Sequence, residues 1–282
     1  MILSEYSGNW TEQVLSMKKP ATIASMQSHI RRINRVFGVR KLNTLTESDI
    51  QKHISVISKE LSPQACRNYW GTFRLILSRA KKEGLIEVIP EPVLPKGGTR
   101  PQIALGLEQL QYLSRRDLLY AVFAETGLRA GEVFGLKNSD IDFKNNLLTV
   151  NRSVFNGISQ DPKSINAFRT ISVSNRLVCR IRAASTGNSY LFESKNHTPK
   201  RQGPELAKLV RELRGLHPES IQTGFHAFRR GNATILSKLE CPIKVISYRH
   251  GRRTGDLTVD TYIGYQIGED RDFAERLGEI LV

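Results

Sequence analysis

The sequence predicts a mainly α protein in two domains. A helical domain spans 1–95, a linker spans 96–100, and an α+β domain with a small antiparallel β-sheet spans 101–282. Three observations predict this. Apolar residues recur at helical spacing through most of the chain. One stretch, Pro90 to Pro101 (PEPVLPKGGTRP), concentrates proline, glycine and charge and keeps neither helical nor strand period, which puts the boundary near Lys96 to Arg100. Two short runs inside the second part, Asn145 to Val154 and Phe168 to Val173, are rich in strand-forming residues. With 282 residues and 39% hydrophobic content, the chain can bury a sizeable core.

The first domain reads as a series of amphipathic helices. Pro20 precedes a run from Thr22 to Phe37 with Ile23, Met26, Ile30, Ile33 and Phe37 on one face. The opposite face carries His29, Arg31, Arg32 and Arg35, and Gly38 is a stop. Thr46 opens T-E-S-D, a capping-box-like start, with Leu45 and Ile50 placed as a hydrophobic staple. Ile50, Ile54 and Ile57 continue that stripe. Ser62 and Pro63 form a cap and first turn. The helix they open runs through Trp70, Phe73 and Ile76 towards Lys82, and Gly84 ends it. Arg67, Arg74, Arg79, Lys81 and Lys82 lie along it. Each alone is an ordinary solvated lysine or arginine; together with the preceding basic face they suit a small basic bundle that clamps nucleic acid.

The second domain opens with GLEQLQYLSRR, a helix. DLLYAVFAETGLRAGEVFGL follows, a buried helix ending near Thr126-Gly127 and a second helix starting close to Ala130. Arg129 therefore sits at a helix junction, where backbone N–H groups favour an anion and a guanidinium adds donors. Asn145 to Val154 reads as a strand, Gly157 to Asn166 as a turn-like connection and Phe168 to Val173 as the returning strand. Lys163 lies on the connection, and its local sequence suits an exposed turn lysine. Helices follow at about Arg176–Ala184, Pro204–Leu213, Ala227–Leu239, Pro242–Tyr248 and Glu269–Leu281. The last carries Phe273, Leu277, Ile280 and Leu281 as an apolar stripe that suits either its own core or a neighbouring subunit.

Lys and Arg number 42 against 27 Asp and Glu, a formal net charge of +15 with pI ≈ 9.9. The excess is spread along the chain, so nucleic acid is the first partner to consider. Cys66, Cys179 and Cys241 are far apart and odd in number, which suggests neither a disulfide framework nor a zinc site and fits a reducing cytoplasm. Each cysteine reads as a small buried hydrophobe. No apolar run is long enough to span a bilayer, and MILSEYSGNW lacks the pattern of a signal peptide. No phosphate-binding G-x-x-x-x-G-K-[ST] occurs, and no acidic cluster suggests a metal, so no cofactor is expected.

The stretch Phe225 to Tyr262 organises the rest. It holds His226 and Arg229 spaced H-x-x-R, then His250, then Tyr262. Reaction at a phosphodiester needs cationic donors, a proton carrier and a nucleophile, and this stretch has one of each. Residues three apart share a helix face, so His226 and Arg229 can address one phosphate if a helix starts near 226. H-x-x-R alone is common by chance. The upstream box TGLRAGEV, with Arg129 and Glu132, adds to it.

With both boxes in place the chain resembles the tyrosine recombinase, or phage integrase, family. TGLRAGEV looks like the family's first motif, Lys163 like its β-hairpin lysine, and His226 with Arg229 like its second motif. His250 in YRHG matches the position usually held by His or Trp, and Tyr262 in VDTYIG matches the nucleophile. The helical first third resembles the family's core-binding domain. Tyr248-Arg249 stands where the family usually has leucine-glycine, Arg230-Gly231 stands where it often has His-Thr, and the interval from His250 to Tyr262 is longer than is common. The resemblance implies a site-specific recombinase or integrase acting on double-stranded DNA as a homotetramer, through a covalent 3′-phosphotyrosyl intermediate on Tyr262. It gives catalytic roles to Arg129, Lys163, His226, Arg229 and His250, with Glu132 orienting Arg129; the basic helix faces of the first domain put Arg31, Arg32, Arg35, Arg67 and Arg74 on DNA. Two other readings keep the same residues: a type IB topoisomerase-like nicking and closing enzyme, and an idle DNA-binding protein of the same fold. Tyr248 and Tyr265 compete with Tyr262 for the nucleophile and fit less well, the first inside an apolar helix, the second beyond Gly264.

Overall fold

The computed structural model describes residues 1–97, 104–160, 168–185, 189–216, 224–252 and 266–281. Its contacts divide the chain into two units, Met1–Arg100 and Pro101–Val282.

The first unit is a helical bundle of α1 (Leu3–Gln13), α2 (Pro20–Phe37), α3 (Glu47–Ile57) and α4 (Pro63–Lys82). Local signals start three of them. Pro20 and Pro63 occupy first turns, where the missing N–H costs nothing. Thr46 accepts from Asp49 N–H, and Ser62 from Ala65 N–H. No helix is expected before Pro20, yet α1 is there. Leu3, Tyr6 and Trp10 fall on one helical face and are buried, and Asn34 of α2 donates to Ser7 Oγ at 2.9 Å. Ile30, Ile33, Phe37, Ile50, Ile54, Tyr69, Phe73 and Ile76 fill the shared core. After α4 the proline-rich chain lies extended along this unit. Val93 N–H donates to Gln51 Oε1 at 2.7 Å, and Arg67 donates to the Pro95 carbonyl at 3.1 Å.

The second unit is helical around small antiparallel sheets. Its helices are α5 (Leu107–Arg116), α6 (Leu118–Thr126), α7 (Ala130–Phe134), α8 (Asn175–Ala184), α9 (Gln202–Leu216), α10 (His226–Lys238), α11 (Ile243–Arg249) and α12 (Arg271–Ile280). Strands β1 (Ile141–Asp142), β2 (Leu147–Val150) and β5 (Arg169–Ser172) form one sheet in the order β1-β2-β5. Strands β3 (Ser153–Phe155) and β4 (Ile158–Gln160) form a separate hairpin. The run expected as one strand, 145–154, is thus two. The break falls at Asn151-Arg152, whose side chains both turn to the buried Asp140 carboxylate. The expected turn at 157–166 contains β4, because Asn156 and Gly157 adopt positive φ and return the chain at once.

Aromatic packing sets where α10 lies. Phe123 of α6 stacks on Phe225 at 4.6 Å and on Phe228 at 5.5 Å, and Tyr120 stacks on Phe228. Stacked pairs of this kind add about 0.5–1.5 kcal/mol beyond their buried area. They fix α10 against α6 and so set Arg229 beside the end of α6. The C-terminal helix α12 packs in cis: Leu277 and Leu281 join the core, and Gln111 donates to the Ile280 carbonyl at 2.7 Å. Cys179 is exposed, against the expectation that every cysteine is buried; Cys66 and Cys241 are buried.

Candidate functional site

The site begins where α6 stops. Thr126 is its last residue, and Gly127 turns the chain with φ 61°. A Cβ there would lie 2.5 Å from His250 Nε2 and 2.7 Å from Asn232 Oδ1, so this position needs glycine for both its dihedral and its space. Two residues on, Arg129 stands at the N-cap of α7. Its N–H donates to Glu132 Oε2 at 2.9 Å and its guanidinium to Oε1 at 2.8 Å. A second guanidinium nitrogen donates to the Gly251 carbonyl at 3.0 Å.

Glu132 is only 3% exposed. It holds a second arginine as well, Arg169 of β5, at 2.9 and 3.3 Å. Burial alone would raise its carboxyl. The charge and hydrogen bonds of Arg169, with those of Arg129, outweigh that and hold it below the usual carboxylate range. Arg169 was missed in the sequence, although a signal existed. Strand alternation in FRTISV puts Arg169 on the same face as Ile171, opposite Val150 and Leu148. A charged residue in a core register needs a buried partner, and Glu132 is it.

Arg229 lies one helical turn after His226 on α10 and is 2% exposed. It donates to the Gly127 carbonyl at 2.9 Å and to the His250 carbonyl, and its Nε–H has no partner among the described residues. Burial first, then the neighbouring Arg129, pushes its pKa down to about 9. His226 is exposed on the same helix, and its pKa is lowered by partial burial and by Arg229, Arg230, Arg252 and Arg129. It is therefore neutral near pH 7. The site is electropositive, with the buried Glu132 carboxylate set among several guanidiniums.

His250 is buried, and its Nε2 meets Asn232 Oδ1 at 2.8 Å. Burial, followed by Arg229, Arg249, Arg169 and Arg252, pushes its pKa down to about 2. Tyr248 Oη lies against Thr170 N–H at 3.4 Å and is half-buried. Lys163, Tyr262 and Tyr265 lie outside the described residues.

In the first unit, Arg31 and Arg35 are exposed on α2. Arg32 pairs with Glu60, Arg74 pairs with Glu91 at 3.2 Å, and Arg67 bonds Gln64 and the Pro95 carbonyl. Three of the five arginines expected on DNA thus have partners within the unit.

The family model described as phage integrase family matches residues 107–266, more than half of the chain. A XerC-like tyrosine recombinase of Caldanaerobacter subterraneus subsp. tengcongensis is 22% identical over 330 aligned positions, covering 99% of this chain and 83% of that protein. Among solved structures, the Tn1549 transposon integrase in complex with transposon right end DNA superposes with a TM-score of 0.73 at 19% identity, covering 98% of this chain and 99% of that one. A lambda integrase dimer bound to a COC' core site gives 0.74 at 16% identity over 94% of this chain and 79% of that one. No described helix is long and apolar enough to cross a membrane. Arg129 and Arg229, which the two boxes of sequence predicted to act together, converge on the end of α11 in a fold shared with these integrases, and the chain belongs to the phage integrase family.

Proposed function

We propose that this chain is a site-specific DNA recombinase that cuts and rejoins duplex DNA through a 3′-phosphotyrosyl bond to Tyr262. The observation that carries this reading is the convergence of Arg129 and Arg229, from separate elements, beside a neutral His226. Arg129 lowers the affinity of Arg229 for its proton, and two such neighbouring guanidiniums gain from an anion between them. A phosphodiester supplies one, and its transition state carries more charge still. Arg129 and Arg229 would hold the non-bridging oxygens. His226, unprotonated near pH 7, would take the tyrosine proton, and Lys163 would protonate the leaving 5′-oxygen. Glu132 fixes the Arg129 fork rather than acting as a base, because its close partners among the described residues are arginines.

The exposed Arg31 and Arg35 support duplex contact by the first unit, while Arg32 and Arg74 would have to exchange Glu60 and Glu91 for phosphate. Action as a homotetramer on DNA, in the cytoplasm, follows from the family reading. A lambda integrase tetramer on a Holliday junction, with a TM-score of 0.72, supports it.

The test is covalent capture. The full chain is incubated with a fragment library containing nicked duplexes, quenched in denaturant, and the DNA that remains on protein is sequenced. Wild type should carry DNA from one site class, and Tyr262→Phe should carry none. An adduct on Tyr262→Phe, or one whose peptide maps to Tyr248 or Tyr265, overturns the nucleophile. Relaxation of supercoiled plasmid without a paired site would favour a nicking and closing enzyme instead.

A further inference from the structure

We propose that the last turn of α11 is the positioning device of the arginine site, and that Arg249, His250 and Asn232 act as positioning residues that hold it. The proposal rests on the recombinase reading above and adds residues to it. Three consecutive carbonyls at this turn each accept one guanidinium. Arg249 O takes Arg169 Nε at 2.7 Å, His250 O takes Arg229, and Gly251 O takes Arg129 at 3.0 Å. The last carbonyls of a helix have no partner within it, and they carry the negative end of its dipole. Here they register three arginines from β5, α10 and the start of α7 against one another. A shift of this turn moves all three together.

Two side chains hold the turn. Arg249 lies one helical turn after Val245 on the buried face and has no exposed side-chain surface. It pairs with Asp270 at the start of α12 and donates to the Ser172 carbonyl at 2.9 Å and to the Glu125 carbonyl at 3.2 Å. It thereby ties α11 to α12, β5 and α6.

The His250 ring is the second hold. Asn232 Nδ2 donates to the Ala124 carbonyl at 2.8 Å and the Glu125 carbonyl at 2.9 Å, so its Oδ1 must accept. His250 Nε2 therefore carries the hydrogen of their 2.8 Å bond. A neutral imidazole has one N–H, and this one points to Asn232. In the neutral ring Nδ1 is then left as the acceptor.

The experiment uses the full chain and the duplex captured above. Single-turnover cleavage at saturating DNA is compared for wild type, Arg249→Lys and Asp270→Asn, with folding checked by circular dichroism. Lysine cannot serve three acceptors in a plane, and a displacement of this kind costs roughly 10²-fold in rate. We expect that loss with DNA affinity changed less than about threefold, a split that simple destabilisation does not produce. Asp270→Asn keeps the shape and serves if Arg249→Lys does not fold. Saturated rates equal to wild type in a folded variant overturn the proposal. Two readouts are independent of cleavage. Nitrogen NMR should show His250 as the neutral Nε2–H tautomer from about pH 8 to pH 5, and the Arg129 and Arg229 guanidinium signals should shift in Arg249→Lys. A His250 that titrates in that window, or arginine signals that do not move, overturn it. A wild type that forms no DNA adduct counts against the recombinase reading, and the NMR arms still decide the positioning.

Discussion

Gly127→Ala tests how tightly the site is built into the core. Three costs add there. An alanine at φ 61° costs about 1–2 kcal/mol in left-handed backbone strain. Its methyl would sit 2.5 Å from His250 Nε2 and 2.7 Å from Asn232 Oδ1, and overpacking of this kind costs about 1–3 kcal/mol. Relief of the clash breaks the His250–Asn232 bond, and a buried polar group left unsatisfied costs about 1–3 kcal/mol. The last two overlap, so the total is about 3–5 kcal/mol. With a urea m-value of about 2–3 kcal/mol/M, the midpoint should fall by roughly 1–2 M. Both tryptophans, Trp10 and Trp70, lie in the first unit. Tryptophan fluorescence therefore follows that unit, while far-UV circular dichroism follows both. The dichroism transition should split or shift to lower urea while the fluorescence transition stays in place. Gly215→Ala, in α9 with open space around it, should change neither by more than about 1 kcal/mol. An unmoved dichroism transition, or a fluorescence transition that moves equally, refutes the reasoning.

Arg129→Lys and Arg229→Lys should each lower single-turnover cleavage by roughly 10²–10³ with duplex binding little changed, and an unchanged rate removes that residue from the site. His29, bonded to Thr72, and His53, bonded to Tyr69, have their pKa values lowered by burial. The unfolded chain then binds more protons as pH falls through the ordinary histidine value, so this stability is present above that value and is lost below it. The urea midpoint by tryptophan fluorescence should fall between about pH 7.5 and pH 5.5, and His29→Gln with His53→Gln should flatten the slope; a slope unchanged by both substitutions refutes the assignment. Gly278 of α12 lies hard against Ser174, so Gly278→Val should lift that helix and lower the dichroism midpoint in the absence of DNA. A midpoint equal to wild type would mean that α12 contributes no packing in cis.

The elements that rest on local signals are legible from the order of residues alone. Proline, serine and threonine at helix starts, with apolar residues three and four apart, placed α2, α3 and α4. The same stripe rule applied to Leu3, Tyr6 and Trp10 would have found α1. Arg129 at a helix junction and Arg229 one turn after His226 were legible because both boxes are short and contiguous. Tertiary structure decided what each charged side chain faces. That Arg169 meets Glu132, that Arg249 meets Asp270, and that the His250 ring turns to Asn232 depends on partners 37, 21 and 18 residues away. Which long-range pair forms is set by how α6, α10, α11 and the sheet pack, and no local period encodes it. The C-terminal stripe shows the same limit: Phe273, Leu277 and Leu281 suit a cis or a trans partner equally. The choice of cis was made by the close seat of Gly278 on Ser174 and by Asp270 on a buried arginine.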